Sequence, residues 1–434
     1  MTLGFWPVVE EVATSRVSYK HNASWILGSN LLYGVSQWGI LIVLARLGST
    51  HIVGEFALGL AIVAPVDMFG RLQLRTILAS DASSQFSVGV YLGLRFLMAS
   101  VTWIVVVSFA VVSGYDTSVI AVVIGVAFAK GFESVSDMLY GFFQLRDAMD
   151  TVGKSMIIRS ALSLLGVAAG TMILHSAAAA AAGLAFVWGV LLIGYDLPMA
   201  ARVASDSGSW VEALRNFRPE WNWQLIRSLL FMTAPLGVVA ALGSLRINVP
   251  RYLVVGDLGE GALGVFAALT YLITVGGRVV FSLMQVSLPR MGRFHSVGEA
   301  ARFRRTVLVQ AGIALGVGIA GVAVALVFGS ALLAVVYGRQ YGGFGGLLVW
   351  VMAVAVFEYV AMVLQLSLTA SRSIRIQIPI RILAVGTAGV VGLISIPTFG
   401  LVGATWALGA GSLIEVIGAA VFIWCPNGIR PACR

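Results

Sequence analysis

Twelve long apolar segments constrain this chain more than any other feature of its sequence. They recur from residue 24 to residue 424, and each comes close to the ~20 residues that a helix needs to cross the hydrocarbon core of a bilayer. Only 11% of the residues are charged, whereas about 25% are charged in a typical soluble domain. The pattern predicts an all-α integral membrane protein with about 12 transmembrane helices.

The predicted spans fall into two groups of six. The first group covers residues 24–45, 53–69, 96–114, 118–143, 156–175 and 177–195. The second group covers residues 229–245, 262–288, 307–328, 343–370, 376–396 and 401–424.

Basic residues predict the orientation of these spans. Of the 28 lysines and arginines, 22 fall in segments on the side of the amino terminus, and Lys130 and Arg278 lie inside spans. The other side has only four, which are Arg46, Arg246, Arg251 and Arg339. Because cytoplasmic loops carry an excess of Lys and Arg, both termini are predicted to be cytoplasmic. The same topology accounts for the net charge of +9, so no nucleic-acid partner is expected.

The longest polar stretch divides the chain into two halves. We predict a cytoplasmic amphipathic lead-in (1–23), two six-helix lobes (24–199 and 227–425), a cytoplasmic linker between them (200–226) and a cytoplasmic tail (426–434).

Short phrases recur in corresponding spans of the two lobes. Gly54-Glu55-Phe56-Ala57 opens the second span, and Gly264-Val265-Phe266-Ala267 opens the eighth. Phe132-Glu133 in the fourth span matches Phe357-Glu358 in the tenth. Because each copy has an even number of helices, the two repeats are parallel, which is an arrangement that transporters use to alternate access to a central cavity.

Nothing in the sequence resembles an enzyme site, so neither catalytic residues nor cofactors are predicted. The pattern G-x-G-x-x-G at residues 316–321 lies within a span and follows no strand, so it is not a dinucleotide-binding motif. Small residues four apart, as in Gly312 with Gly316 and Gly166 with Gly170, instead predict close helix packing. The four histidines have no metal-ligand spacing, and no metal is expected.

Charged residues inside the bilayer are the informative ones, because they are costly there and normally face a bundle interior or a cavity. Lys130, Glu133 and Asp137 lie three and seven positions apart, which places them within about 60° on one helix face. Lys130 either pairs with Glu133 or binds substrate, whereas Arg278 has no acid within one turn and favours a functional role.

The candidate site residues form two sets, one for substrate binding and one for coupling to an ion gradient. The substrate-binding candidates are Lys130, Arg278, Arg46 and Arg251, the last two preceding the two repeated phrases. The candidates for coupling to an ion gradient are Glu133, Asp137, Glu358 and Glu415. Asp67 is expected to pair with Arg71, one turn away, and to be structural.

Several phrases in the first lobe resemble a known family. They include Leu44-Ala45-Arg46-Leu47-Gly48, Tyr91-Leu92-Gly93-Leu94-Arg95 and Ser136-Asp137-Met138-Leu139-Tyr140-Gly141. These resemble the polysaccharide-type flippases of the multidrug/oligosaccharidyl-lipid/polysaccharide exporter superfamily, which move O-antigen or capsule repeat units across the bacterial inner membrane. The resemblance is clearest over residues 27–160 and is mainly architectural in the second lobe.

This resemblance implies a substrate and partners. The substrate would be undecaprenyl diphosphate carrying an oligosaccharide, and the partners would be membrane lipids, the polysaccharide polymerase and glycosyltransferases. Lys130 and Arg278 suit a diphosphate, because an anion that enters a medium of low dielectric must meet fixed positive charge.

Two alternatives remain open from the sequence. One is a cation-coupled multidrug exporter of the same superfamily. Members of that branch commonly have a carboxylate in the first helix, and residues 25–44 contain none. The other is a membrane assembly partner of polysaccharide synthesis without transport of its own.

Overall fold

The computed structural model describes residues 15–81, 85–204 and 217–425, and these residues form helices and no strand. The amino-terminal half contains α1 (Ser15–Leu47), α2 (Thr50–Arg71), α3 (Leu74–Ser80), α4 (Val88–Val112), α5 (Thr117–Leu145), α6 (Met149–Leu174), α7 (Ala177–Leu191) and α8 (Leu197–Ala204). One π-helical turn, Leu192–Asp196, joins α7 to α8. The carboxyl-terminal half contains α9 (Trp223–Ser296), α10 (Ala300–Tyr337), α11 (Gly345–Ala370), α12 (Ile374–Phe399) and α13 (Leu401–Trp424).

Helix α9 consists of two spans that meet without a loop. Its 74 residues bend at Gly259, whose φ of 81° lies in a region that residues with a side chain rarely adopt. The first arm (223–258) therefore corresponds to the predicted seventh span, and the second arm (260–296) corresponds to the eighth. Eleven helices of the described chain are long and apolar enough to cross a membrane, and the bend divides one of them into two. The predicted all-α architecture with about 12 spans is confirmed.

Polar caps fix where several helices begin. Ser49 accepts a hydrogen bond from the backbone N–H of Ile52 at the start of α2, and Ser87 accepts one from Val90 at the start of α4. Asn222 accepts bonds from Gln224 and Leu225 at the start of α9. Such caps satisfy backbone donors that have no partner within the helix.

The two ends of the helix bundle differ in charge. The basic end, where α1 begins, has arginines such as Arg71, Arg75, Arg146, Arg290 and Arg372. The opposite end, where α1 finishes, includes residues 46–51, 113–116 and 258–261.

Several arginines lie inside helices rather than in the loops that the sequence predicted. Arg246 and Arg251, expected outside the membrane, lie in the first arm of α9, and Arg246 is 3% exposed. Arg95 and Arg159, assigned to cytoplasmic segments, are buried in α4 and α6. The prediction that these four residues lie in loops was wrong. A charge is normally excluded from an apolar span unless it has partners, and for Arg159 and Arg246 those partners, Asp196 and Glu358, are distant in sequence.

The two pairs of small residues that predicted close helix packing differ in their contacts. Gly166 and Gly170 lie against the backbone of Gly183 and Ala179 in α7, so the predicted close packing is confirmed there. A side chain at Gly312 or Gly316 would meet nothing within 4 Å among the described residues. The packing predicted for that second pair was wrong within this chain.

Parts of the predicted lead-in, linker and tail lie outside the described residues, namely residues 1–14, 205–216 and 426–434. Residues 15–23 of the lead-in continue helically into the first span. The proposed division into lobes and linker otherwise stays a prediction.

Candidate functional site between the two halves

The two halves cross closely at the opposite end of the bundle. A Cβ atom on Gly54 of α2 would overlap the carbonyl oxygen of Glu260, and one on Gly264 would overlap the carbonyl oxygen of Thr50. Since 54 and 264, and likewise 50 and 260, differ by the 210 positions of the sequence repeat, the two contacts are related as by a twofold axis. Only glycine permits helix backbones to approach this closely.

Polar contacts also join the two halves around the end of α1. Arg46 donates hydrogen bonds to the backbone carbonyls of Val335 and Val336 at the end of α10, the latter at 3.0 Å. Trp38 Nε1 donates to the hydroxyl of Tyr337 at 2.8 Å. Arg46, a substrate-binding candidate, is exposed and ties the two halves together at this end.

Arg278 lies deeper, between α1 and the second arm of α9. A Cβ on Gly34 would be 3.6 Å from Nε of Arg278, so the guanidinium lies across the face of α1. With a rise of 1.5 Å per residue, Arg278 is about 28 Å along the arm from Gly259. Within the described ranges its side chain makes no ion pair or hydrogen bond.

A narrow pocket surrounds this arginine. It is lined by Leu31, Gly34, Val35, Tyr271, Thr274, Val275 and Arg278, and its volume is about 20 Å³. That space suits about one water molecule. Further toward the basic end, the apolar side chains of Leu31, Leu32, Phe281 and Leu283 on the same two helices are exposed. Binding of a larger anion at Arg278 therefore requires α1 and the second arm to move apart.

Arg251 is a second cation without an acidic partner in the described parts of the chain. Its Nη1 donates to Asn248 Oδ1 at 3.1 Å, and its buried Nε has no hydrogen-bond partner. Tyr271 lines the pocket that holds Arg278.

Glu133 is the centre of an ionic cluster in the amino-terminal half. Its carboxylate accepts hydrogen bonds from Lys130 Nζ at 2.9 Å, from Arg71 Nη2 at 2.7 Å and from the hydroxyl of Tyr33. Arg71 also donates to Asp67 at 2.8 Å, so the predicted pair is confirmed. Lys130 is therefore paired with Glu133, as one interpretation of the sequence proposed.

Asp137 lies one turn from Glu133 and has its own partner. Its carboxylate accepts a hydrogen bond from Arg75 Nη1 at 3.1 Å, and both side chains are about a quarter exposed. The structure thus brings Lys130, Glu133 and Asp137 together on one face of α5, with an arginine from the basic end on each carboxylate.

A second cluster lies in the carboxyl-terminal half around Arg246. Its two terminal nitrogens donate to the two carboxylate oxygens of Glu358 at 2.7 and 2.8 Å. Ser412 accepts from Arg246 at 3.0 Å and donates to Glu358 at 2.7 Å, while Glu415 Oε1 lies 3.3 Å from Arg246 Nε. The two glutamates that the sequence repeat aligned, Glu133 and Glu358, each bind an arginine of their own half.

Sequence reasoning missed several of these residues. Arg246 was counted only as a loop charge, the contact of Arg71 with Glu133 was not foreseen, and the buried pair of Arg159 with Asp196, 2.9 Å apart, was not proposed. The spacing of Asp67 and Arg71 signalled one such pair. No local signal links Arg246 to Glu358, which is 112 positions away.

Two apolar grooves lie on the outer surface of the amino-terminal half. One, of about 1000 Å³, lies between α5 and α7, and another, of about 450 Å³, lies between α4 and α5. Both are lined by Phe128 and Phe132. Their apolar linings suit lipid chains rather than a charged ligand.

Comparisons with known proteins agree with this architecture. No protein-family model matches the chain. A curated capsular polysaccharide biosynthesis protein, CapF of Staphylococcus aureus, is 23% identical over 398 residues, which are 91% of this chain and 97% of that protein. Among solved structures, an inward-facing multidrug resistance MATE family transporter of the MOP superfamily has a TM-score of 0.68 at 14% identity and covers 90% of this chain and 92% of its own.

The chain has the fold of the MOP-superfamily transporters. The eukaryotic MATE transporter AtDTX14 agrees, with a TM-score of 0.62 at 14% identity over 94% of this chain and 96% of its own. Similarity to CapF extends over nearly the whole chain, so the resemblance found in the first lobe is joined by similarity of the full sequence to a capsular polysaccharide biosynthesis protein. This is a multi-pass membrane protein with a MOP-type transporter architecture.

Proposed function

We propose that the protein is a flippase that moves an undecaprenyl-diphosphate-linked oligosaccharide from the cytoplasmic to the outer leaflet of the bacterial inner membrane. The observation that carries the proposal is Arg278, a cation inside the bundle with no acidic partner among the described residues. A charge held there without a partner is unfavourable unless a ligand of opposite charge neutralises it. The similarity to a capsular polysaccharide biosynthesis protein supports a lipid-linked saccharide as that ligand.

The geometry suggests a path for such a substrate. With both termini in the cytoplasm, as the basic residues predict, the basic end faces the cytoplasm and the Gly54–Gly264 crossing closes the outer end. The headgroup enters between α1 and the second arm of α9, where exposed Leu31 and Phe281 offer apolar surface to the isoprenoid chain. Arg278 then holds the diphosphate through two parallel hydrogen bonds, for which a guanidinium is well suited. The lobes rock, and the outer end opens.

Arg251 and Lys130 have different places in this mechanism. Arg251 lies about 12 Å along the first arm from Gly259, nearer the outer end than Arg278, and receives the diphosphate later in the transfer. Lys130 is already neutralised by Glu133, so it contributes less to diphosphate binding than Arg278 does.

Coupling to an ion gradient is a separate part of the proposal. Glu133, Asp137, Glu358 and Glu415 are its candidates, and each lies close to an arginine or lysine of its own half. The test is flipping by Glu358→Gln under an imposed pH or sodium gradient. A lost gradient response would assign coupling to Glu358, and an unchanged response would leave it a structural role.

The experiment that tests the function is flipping in proteoliposomes. A defined undecaprenyl-diphosphate oligosaccharide would be reconstituted with wild-type protein, Arg278→Ala, Arg278→Lys or the control Arg302→Ala, and lectin access to the saccharide would be followed over time. Arg302 is an exposed arginine paired with Glu299, so its loss should leave flipping unchanged. Arg278→Ala should abolish flipping, while Arg278→Lys should retain part of it because the charge remains.

Two outcomes would contradict the proposal. Wild-type rates in Arg278→Ala at normal membrane levels would remove the assigned site. Absence of flipping by folded wild-type protein with several repeat units, together with extrusion of cationic dyes, would instead favour drug export, the function of the multidrug transporter that shares this fold.

A further inference from the structure

Three metal-ligating side chains meet at the opposite end of the bundle, outside the cleft that holds Arg278. His51 and Glu55 lie one turn apart on α2, and Glu260 follows the bend of α9. His51 Nδ1 is 3.2 Å from Glu260 Oε2 and 4.0 Å from Glu55 Oε2. One ligand atom from each residue lies within 4.8 Å of the other two.

This group joins the two halves. His51 and Glu55 belong to the amino-terminal half, and Glu260 belongs to the carboxyl-terminal half. Among the ion pairs of the described residues, His51 with Glu260 is the one that crosses between halves. It lies beside the crossing at which Gly54 meets the Glu260 backbone.

Glu55 gives independent evidence that a cation belongs here. It is 8% exposed, and within the described ranges its carboxylate makes no hydrogen bond. Its one close basic neighbour is His51, at 4.0 Å, and a carboxylate oxygen of Glu260 also lies within 4.8 Å. The partly buried carboxylates Glu133 and Glu358, in contrast, each bind an arginine. A buried carboxylate requires either a proton or a partner of opposite charge.

The donor set selects a class of metal. Ca²⁺ and Mg²⁺ prefer ligands that are all oxygen, whereas an imidazole nitrogen with two carboxylates suits Zn²⁺ and similar transition metals. Tetrahedral Zn²⁺ with bonds of about 2.0–2.2 Å places its ligand atoms about 3.3–3.6 Å apart. The His51–Glu260 separation of 3.2 Å is close to that value. Glu55, which is 4.0 Å from His51 and within 4.8 Å of Glu260, needs to move closer to both. Because His51 is 63% exposed, water can supply the fourth ligand.

We propose that His51, Glu55 and Glu260 form a transition-metal site for Zn²⁺ that fastens α2 to the second arm of α9. The bound metal stabilises the conformation in which this end of the bundle is closed. Metal binding stands independently of the proposed flippase activity, whereas an effect of the metal on transport rests on it.

The test is titration of Zn²⁺ into the purified full-length protein, without a polyhistidine tag, by calorimetry in detergent. Wild-type protein should bind one Zn²⁺, and both His51→Ala and Glu260→Gln should weaken binding at least tenfold. His175→Ala is the matched control, because His175 is also an exposed histidine at this end, and it should bind as wild type does. Zn²⁺ should raise the thermal midpoint of wild type and of His175→Ala but not of His51→Ala.

The outcomes separate this proposal from the function proposed above. No Zn²⁺ binding by wild type, or equal affinity in His51→Ala and Glu260→Gln variants that elute as folded monodisperse protein, would overturn the metal site. Zn²⁺ binding that depends on these residues in a protein that flips no lipid would support the metal site and contradict the flippase. In flipping vesicles, Zn²⁺ should slow wild type and leave His51→Ala unaffected.

Discussion

Gly54 and Gly264 contact each other's helices through equivalent positions of the two repeats. The site where a Cβ would lie on Gly54 is occupied by the carbonyl of Glu260, and the site on Gly264 by the carbonyl of Thr50. The backbone nitrogen of Gly54 is also 3.0 Å from the place that a Cβ on Gly264 would occupy. The repeated phrase in the sequence is therefore the contact surface between the two halves at the opposite end.

We predict that Gly54→Ala weakens this contact. The added methyl group has no room, so α2 and α9 must separate, and overpacking of this kind lowers the free energy of unfolding by about 1–3 kcal/mol. The control is Gly256→Ala in the first arm of α9, where a Cβ meets nothing within 4 Å. Thermal unfolding in detergent checks the prediction, and equal midpoints for the two variants would contradict it.

Gly34 provides a way to test the Arg278 pocket without changing its charge. A Cβ on Gly34 would lie 3.6 Å from Nε of Arg278, so Gly34→Phe should displace the guanidinium, fill the pocket and reduce flipping at least tenfold. Gly28→Phe on the same helix is the control, since nothing lies within 4 Å of its Cβ position. Normal flipping by Gly34→Phe would place the substrate path elsewhere.

Arg246 should be critical for stability because it is ion-paired with two glutamates. Arg246→Met removes this cation from the buried Glu415 and the partly buried Glu358, and breaking a buried pair lowers the free energy of unfolding by about 3–5 kcal/mol. The triple variant Arg246→Met/Glu358→Gln/Glu415→Gln removes all three charges and should recover much of this loss. Denaturation in mixed micelles would measure the stability of both variants. A triple variant that is less stable than Arg246→Met would contradict the prediction.

A similar comparison applies to the other half. Glu133 binds Lys130, Arg71 and Tyr33, so Glu133→Gln deprives two cations of a partner, whereas Lys130→Met leaves Glu133 paired with Arg71. Glu133→Gln should therefore lower the thermal midpoint more than Lys130→Met does. The exposed pair of Lys154 with Asp150 supplies a control, because Lys154→Met should have little effect. A reversed order would mean that Lys130 has a partner other than Glu133.

The sequence predicted the spans well because a bilayer leaves the backbone few options. Helices must satisfy their own hydrogen bonds in lipid, so apolar length alone locates them. It also singled out Arg278 as a candidate, because an isolated charge in an apolar segment is visible without knowledge of any contact. The bend at Gly259 was less visible, since an ordinary loop and a loop-free bend both separate two apolar runs.

Contacts between distant residues could not be predicted in this way. Glu133 meets Arg71 62 positions away, and Glu358 meets Arg246 112 positions away. The charge count correctly placed most arginines toward one end, yet it treated Arg246 as a loop residue because its neutralising partners are on other helices. The cluster of His51, Glu55 and Glu260 was overlooked for the same reason, as Glu260 is more than 200 positions from the other two.

The ion pairs around Glu133 and Glu358 also bear on how the protein is made. Each joins residues of the same half, so the charges around Glu133 are paired before the second six spans are synthesised. We therefore expect the first half to leave the insertion machinery with this cluster already neutralised, without waiting for the second. Insertion of the two halves in consecutive steps is the consequence we expect from where these charges find their partners, and the surface that joins the halves is left mainly to glycine and backbone.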